Sequence, residues 1–148
     1  MVDAVQFVKT ILEAEWDSSK TDNKIPIFIH SYDDKDLNNT IRLSSASQDV
    51  IRIYERSPQT MQVSGIGTNR WDYIYYITID VFIASNKIHA QKVKEHLTEI
   101  INNKINLNKD EFQYIIADYK IQNFSGVQYN KLWRWVFEIE LVKFNAEV

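Results

Sequence analysis

The clearest pattern in the sequence is the alternation of apolar and polar side chains from Tyr73 to Ala84. Ile77 falls on one face of this segment, whereas Thr78 and Asp80 fall on the other. A second long alternation runs from Lys131 to Phe144. Because successive side chains of a strand point to opposite faces, both segments are predicted to be β-strands with one face in the core.

Shorter β-strands are predicted before and between these two. Their positions, in chain order, are Ile25 to Ile29, Val50 to Arg56, Met61 to Val63 and Gln113 to Ile121. The Ser57-Pro58 pair predicts the end of a strand, because proline cannot donate to the strand ladder. Polar segments at residues 31–49 and at Gly65 to Arg70 predict a long loop and a loop tip. The last two strands are expected to form a hairpin-like pair.

Two segments repeat apolar residues at the three- and four-residue spacing of an amphipathic helix. The first begins at Asp3, which can cap it together with Gln6, and it extends to Trp16. The second is capped by Asn86 and extends to Asn103. The apolar faces comprise Val5, Val8, Leu12 and Trp16 in the first helix, and Ala90, Val93, Leu97, Ile100 and Ile101 in the second. Each face is expected to pack on the strands.

The order of helix, strands, helix and strands predicts an α+β fold. We expect an antiparallel or mixed β-sheet of about four to five strands, with two helices packed on one face. The length of 148 residues suits one domain, and neither a linker nor an internal repeat divides the chain. A single domain is therefore predicted over residues 1–148.

Composition limits the environment and the partners of the chain. Hydrophobic residues make up 45% of the sequence and cysteine is absent, so the core needs no disulfide and thiol chemistry is excluded. The formal net charge of −3 is unlike that of a protein whose main partner is a nucleic acid. Neither a signal peptide nor a membrane span is predicted, and the absence of cysteine fits the cytoplasm.

The histidines do not form a predicted metal site. His89 and His96 lie on one predicted helix. They are seven positions apart, which is about 10 Å along the helix axis. The only other histidine of the sequence is His30, which is far from both along the chain. We therefore interpret His89 and His96 as solvated helix residues.

Two loop motifs match ligand-binding sites only in part. Gly65-Ile66-Gly67 lacks the third glycine, the lysine and the following helix of a phosphate-binding loop. The carboxylates of Asp33, Asp34 and Asp36 lack the glycine and the terminal glutamate of a calcium-binding loop. Since no serine-hydrolase motif is present either, the sequence predicts no catalytic, cofactor-binding or metal-binding residue.

Two alternatives give the strand residues a role with nucleic acid. Asp80, Glu138 and Glu140, with Asp118-Tyr119-Lys120, could supply the carboxylates and the lysine of a metal-dependent nuclease. Alternating charges on a sheet face, however, usually form cross-strand pairs. A base-stacking platform could comprise Arg70, Trp71, Tyr73, Tyr75 and Tyr76. Because part of this set is in phase with core residues, a small nucleic-acid-binding protein and a nuclease are kept only as alternatives.

The charged face of the sheet has no role in the predicted core. If the helices cover one face, the polar positions of the long strands are collected on the other. Such a face is either solvated or in contact with another subunit, since interfaces are enriched in tyrosine, tryptophan and arginine. The candidate interface comprises Arg52, Arg56, Arg70, Trp71, Tyr76, Asp80, Arg134, Glu138 and Glu140.

The layout of four segments resembles the tail terminator, or tail completion, proteins of long-tailed phages and related archaeal viruses, together with their minor tail and head–tail joining relatives. These segments are the helix Asp3 to Trp16, the strand Trp71 to Ala84, the helix Ala90 to Asn103 and the strand Leu132 to Leu141. They cover most of the chain, and the similarity lies in their order and not in a diagnostic motif.

This resemblance implies a structural protein and not an enzyme. It implies a homo-hexameric ring that caps the finished tail tube and joins it to the head connector, with the tail tube protein and the connector protein as partners. A connector or minor tail component is the nearest alternative within the same group. The resemblance implies no cofactor. From the residues themselves, no membrane partner is expected, and the net charge disfavours a nucleic-acid partner. It implies a location at the head–tail junction of the virion, after assembly in the host cytoplasm.

Overall fold

The computed structural model of the chain describes residues 3–30, 48–63, 70–83, 85–105, 114–122, 128–129 and 132–147. These residues include the helices α1 (Ala4–Glu15) and α2 (Lys87–Ile100). The strands are β1 (Ile27–His30), β2 (Val50–Val63), β3 (Arg70–Ile83), β4 (Tyr114–Gln122), β5 (Gln128–Tyr129) and β6 (Leu132–Glu147). The predicted loop up to residue 47, with Asp33, Asp34 and Asp36, and the motif Gly65-Ile66-Gly67 lie outside the described residues.

The strands form a mixed sheet in the order β1-β2-β3-β6-β4, and the short β5 pairs with β6. β1 is parallel to β2, and the other pairings are antiparallel. Both helices pack on the same face of the sheet. The predicted α+β fold is therefore confirmed, and β4 and β6 form the expected C-terminal pair.

Strand β2 is longer than the sequence predicts. Ser57-Pro58 does not end it, because pairing with β3 continues through two register shifts. Arg56 has no register partner, since the next residue of β2 already lies opposite Tyr76. This extra residue forms a β-bulge. Pro58 lies in the second irregularity, between Ser57 and Thr60, where a proline is accepted that a regular ladder excludes. The separate strand predicted at Met61 to Val63 is the end of β2.

Helix α1 begins where the sequence predicts. The Asp3 carboxylate accepts a hydrogen bond from the backbone N–H of Gln6 at 3.1 Å, which satisfies one of the free N–H groups of the first turn. The Gln6 side chain donates to Thr10 at 3.1 Å. The buried face of the helix comprises Ala4, Val5, Phe7, Val8, Ile11 and Leu12.

Helix α2 is capped by Asn86, whose side-chain oxygen accepts a hydrogen bond from the backbone N–H of His89 at 2.8 Å. A wider turn of π-helical geometry, Ile101–Ile105, extends the helix at its C-terminal end. Its first and last residues are fully buried, so this turn continues the apolar face of α2.

The hydrophobic core lies between the helices and the sheet face formed by the odd-numbered residues of β3 and β6. Ile77, Trp135 and Phe137 are among its buried members. Burying a large apolar side chain contributes about 1.5–3 kcal/mol to stability. Lys94 of α2 is half-buried, with its ammonium 4.8 Å from the centroid of the Trp135 ring. Its aliphatic stem therefore covers part of the core.

Both helices are shorter than a membrane span. Helix α1 has 12 residues and α2 has 14, whereas a span needs about 20. Within the part of the chain that the structure describes, no helix is long and apolar enough to cross a bilayer.

Candidate functional site

Most of the predicted interface residues lie on the sheet face opposite the helices, called here the second face. Backbone pairing places Arg52 opposite Asp80, and Tyr76 opposite Glu140. Burial divides the second face into two parts. The closed end comprises Arg52, Asp80, Phe82 and Arg134, and the open end comprises Arg56, Tyr76, Glu138 and Glu140.

At the closed end, Asp80 binds two arginines. Its Oδ2 accepts a hydrogen bond from Arg52 Nη2 at 3.0 Å, and its two oxygens accept from Arg134 Nε and Nη2 at 2.9 and 2.8 Å. The side chains of Arg52 and Asp80 are 0% exposed, and that of Arg134 is 25% exposed. Bidentate contacts of this kind are among the strongest hydrogen bonds in proteins. Arg52 and Asp80, predicted as interface residues, are thus buried within the chain and offer no exposed surface.

Aromatic rings flank the same ion cluster. The guanidinium of Arg134 lies 5.0 Å from the ring centroid of Phe82, and that of Arg52 lies 4.4 Å from the ring centroid of Tyr54. Phe82 is fully buried although it belongs to the second face. A cation over an aromatic ring is stabilised most where water is excluded. The closed end is therefore a second, charged layer of the core and not a solvated surface.

At the open end, Arg56 is the extra residue of the bulge in β2. Its Nη1 donates hydrogen bonds to the backbone carbonyls of Ile77 in β3 and Ile139 in β6, the latter at 3.1 Å. The guanidinium lies 5.6 Å from the ring centroid of Tyr76. It therefore supplies donors to backbone carbonyls where the bulge interrupts the ladder. Among the described residues, no carboxylate lies within ion-pair distance of Arg56.

Glu138 and Glu140 occupy the β6 side of the open end. Both are half-buried, and within the described ranges neither carboxylate forms a hydrogen bond or an ion pair. Tyr76 lies on the strand between Glu140 and Arg56, with its hydroxyl 3.1 Å from Thr60 Oγ1. The open end therefore holds one cation and two carboxylates that the described part of the chain does not neutralise.

Two further interface predictions concern the start of β3. Arg70 and Trp71 pair with Glu147 and Ala146 at the end of β6. Their backbone thus lies at the far end of the long central strands. That Arg70 and Trp71 take part in a contact between subunits stays a prediction.

The residues considered for a nuclease are brought to neighbouring strands. Asp118-Tyr119-Lys120 lies in β4, where its first and last residues pair with Glu140 and Glu138. The carboxylate of Asp80, however, is occupied by two guanidinium groups. Across the described residues, no group of three or more histidine, aspartate or glutamate side chains could hold a metal ion.

His89 is buried, so the prediction that it is solvated is wrong. Its Nδ1 lies 2.8 Å from Asp22 Oδ2, and its Nε2 lies 2.5 Å from Asp49 Oδ2. Because an ionised carboxylate only accepts, both contacts are hydrogen bonds when both ring nitrogens carry a proton. Hydrogen bonds from Lys92 and then from His89 hold the pKa of Asp22 below its ordinary value. The cluster ties the turn after α1 and the start of β2 to helix α2.

His96 is buried as well, which corrects the second histidine prediction. Its Nε2 accepts a hydrogen bond from the backbone N–H of Asp17 at 2.9 Å, and its ring lies edge-on to that of Trp16. Burial holds the pKa of His96 below its ordinary value, which agrees with an Nε2 that accepts. His96 also lines an open cavity of about 200 Å³, together with Lys20 and Glu99, which form an ion pair at 2.7 Å.

One signal in the sequence could have identified the buried histidines. His89 and His96 precede Val93 and Ile100 by four residues each, which places them on the apolar face of α2. Their carboxylate and backbone partners carry no such signal, because Asp49 is separated from His89 by 40 residues.

Comparison with known proteins gives no family assignment. The sequence matches no protein-family model and no curated protein. A functional proposal therefore depends on the residues and the geometry described above.

Proposed function

We propose that this chain is a structural subunit of a viral tail, which self-associates into a homo-hexameric ring, completes the tail tube and joins it to the head connector. Its partners are further copies of the same chain, the tail tube protein and the head connector protein. It uses no cofactor. It acts at the head–tail junction of the virion, after assembly in the host cytoplasm.

The main observation in support of the proposal is the arrangement of four segments in the fold. The elements α1, β3, α2 and β6 correspond to the segments on which the resemblance to tail terminator proteins rests. β3 and β6 pair along nearly their whole length, from Arg70 opposite Glu147 to Ile83 opposite Trp133. Both helices pack on this central pair. The four segments thus form the middle of one fold, and this arrangement supports the proposal.

The division of the sheet into two faces supports repeated subunit contacts. The helices occupy one face, so a neighbouring copy can approach the second face without displacing α1 or α2. Contacts between two different surfaces of the same chain close into a ring when they repeat by rotation. Subunit interfaces are enriched in arginine and tyrosine, and the open end holds Arg56 and Tyr76.

Light scattering over a concentration series, with negative-stain images of the same samples, tests the proposed ring. We expect the mass to rise from that of the monomer to that of a single larger species, and the images to show rings. A sample that contains only monomer at every concentration would contradict the proposed self-association.

A further inference from the structure

We propose that the open end of the second face is the surface through which one copy of this chain contacts the next. The inference rests on the proposed self-association and names the side chains that form the contact. These are Arg56 on β2, Tyr76 on β3, and Glu138 and Glu140 on β6.

The charges of the open end differ from those of the closed end in having no oppositely charged partner among the described side chains. Asp80 is neutralised by guanidinium groups within hydrogen-bond distance. The carboxylates of Glu138 and Glu140 are half-buried and, among the described residues, have no ion-pair or hydrogen-bond partner. These groups have lost part of their hydration, and the described side chains supply no opposite charge in exchange. A neighbouring molecule that supplies this charge gains a favourable interaction at little further desolvation cost.

The side chains of the open end form a polar row across three strands. Arg56 lies at the β2 end, Tyr76 in the centre and Glu140 at the β6 end. Adjacent strands are about 4.8 Å apart, so the charged ends are separated by about 10 Å at the backbone. Glu138 adds a second carboxylate at the β6 end. The row is thus positive at one end, aromatic in the centre and negative at the other end.

A second copy of the chain is the partner that this row fits. Because the two ends carry opposite charges, the Arg56 end of one copy can pair with the Glu140 end of the next. A uniformly acidic partner, such as a nucleic acid, would be attracted to Arg56 but repelled by Glu138 and Glu140.

Arg56 is already held in position for such a contact. Its guanidinium is bound to the carbonyls of Ile77 and Ile139 and lies near the Tyr76 ring. A side chain that is fixed before association loses little conformational entropy when it binds. The Tyr76 hydroxyl is likewise placed by its contact with Thr60.

The test compares charge changes on the two faces of the sheet. Glu140→Lys reverses a charge of the open end, whereas Glu55→Lys makes the same change in net charge on the opposite face. Glu55 is the matched control because it is exposed, directly precedes Arg56 and lies opposite Ile77, a core residue. A third variant, Arg56→Gln, removes the cation but keeps an amide donor for the carbonyls. Sedimentation equilibrium at low salt gives the association constant, and circular dichroism confirms that each variant is folded.

We expect Glu140→Lys to weaken self-association about tenfold or more, and Arg56→Gln to weaken it in the same direction. Glu55→Lys should stay within about twofold of the wild-type constant. If Arg56→Gln does not fold, Glu140→Lys alone decides, since its carboxylate has no contact within the described residues.

Equal association constants for Glu140→Lys and Glu55→Lys would overturn the inference. If wild type still forms rings in that case, the proposed function stands and another surface makes the contact. A wild-type protein that stays monomeric at every concentration would overturn both the inference and the proposed ring.

Discussion

The two ends of the second face contain the same kinds of side chain but differ in how their charges are neutralised. At the closed end, Asp80 is buried between Arg52 and Arg134. At the open end, Arg56 binds backbone carbonyls, and the nearby glutamates have no partner among the described residues. The difference shows that a charged sheet face has no single role. The charges of the closed end pair with one another inside the chain, whereas those of the open end have no ion pair with a described side chain.

The stability of the closed end depends on each charged side chain in the cluster of Arg52, Asp80 and Arg134. Taking charges out of water is costly, and the attraction between them offsets the cost only when the geometry is good and the hydrogen bonds are made. Arg52 is fully buried, so it depends on a carboxylate at hydrogen-bond distance. Removing that carboxylate therefore removes the charge that accepts the hydrogen bonds of Arg52 and Arg134 at the closed end.

The largest expected effect is that of Asp80→Asn. We expect the variant to lose about 3–5 kcal/mol of unfolding free energy, because an amide does not neutralise Arg52 or Arg134. Equilibrium denaturation with urea, monitored by circular dichroism, measures the loss.

Glu140→Gln is the control for this prediction, because it makes the same chemical change at the open end. Under conditions where the protein is monomeric, its unfolding free energy should stay within about 0.5 kcal/mol of the wild-type value. Equal losses in the two variants would remove the distinction between the closed and open ends.

An intermediate effect is expected for Arg56→Met. This variant removes the donor for two backbone carbonyls at the bulge but breaks no ion pair among the described residues. The expected loss of unfolding free energy is about 1–3 kcal/mol. Arg56→Gln, which keeps a donor, should lose less in the same denaturation experiment. If both variants match wild type, the Arg56 side chain does not support the bulge.

Alternation along the chain was sufficient to predict which residues share a face. Ile77 and Ile79 are buried on the helix side, and Thr78 and Asp80 lie on the second face, as the period of two requires. The caps of both helices were predicted because short polar side chains satisfy the free N–H groups of the first turn. These are local properties, which a sequence carries within a few neighbouring residues.

The division of the second face could not be predicted from the sequence. Arg52 and Asp80 are 28 residues apart, and only the register of β2 against β3 brings them together. The role of Arg56 depends on a bulge, whereas the adjacent Ser57-Pro58 pair predicts the end of a strand. Burial of a charged side chain depends on which strand pairs with which, and this is a property of the whole fold.

The smallest expected effect is a change of stability with pH at Asp22, whose carboxylate is hydrogen-bonded to Lys92 and His89 on the helix side of the molecule. The hydrogen bonds from Lys92 and then His89 hold the folded-state pKa of Asp22 below its ordinary value of 3.8. A lowered pKa stabilises the fold above the ordinary value, and this contribution is lost as the pH falls through the lowered one. The stability difference between wild type and Asp22→Asn should therefore shrink below about pH 4.

Thermal unfolding of both proteins at several pH values measures this difference. A difference that stays constant from neutral to acidic pH would show that Asp22 does not depend on its partners for stability.

The central claim is that the closed end is part of the core and the open end is a contact surface between copies. Carboxyl labelling of the native protein in dilute and concentrated samples, followed by mass spectrometry, tests it most directly. We predict that Asp80 stays unlabelled in both samples, that Glu55 is labelled in both, and that Glu138 and Glu140 are labelled only in the dilute one. Equal labelling of Glu138 and Glu140 in both samples, or labelling of Asp80 in the native protein, would contradict the account.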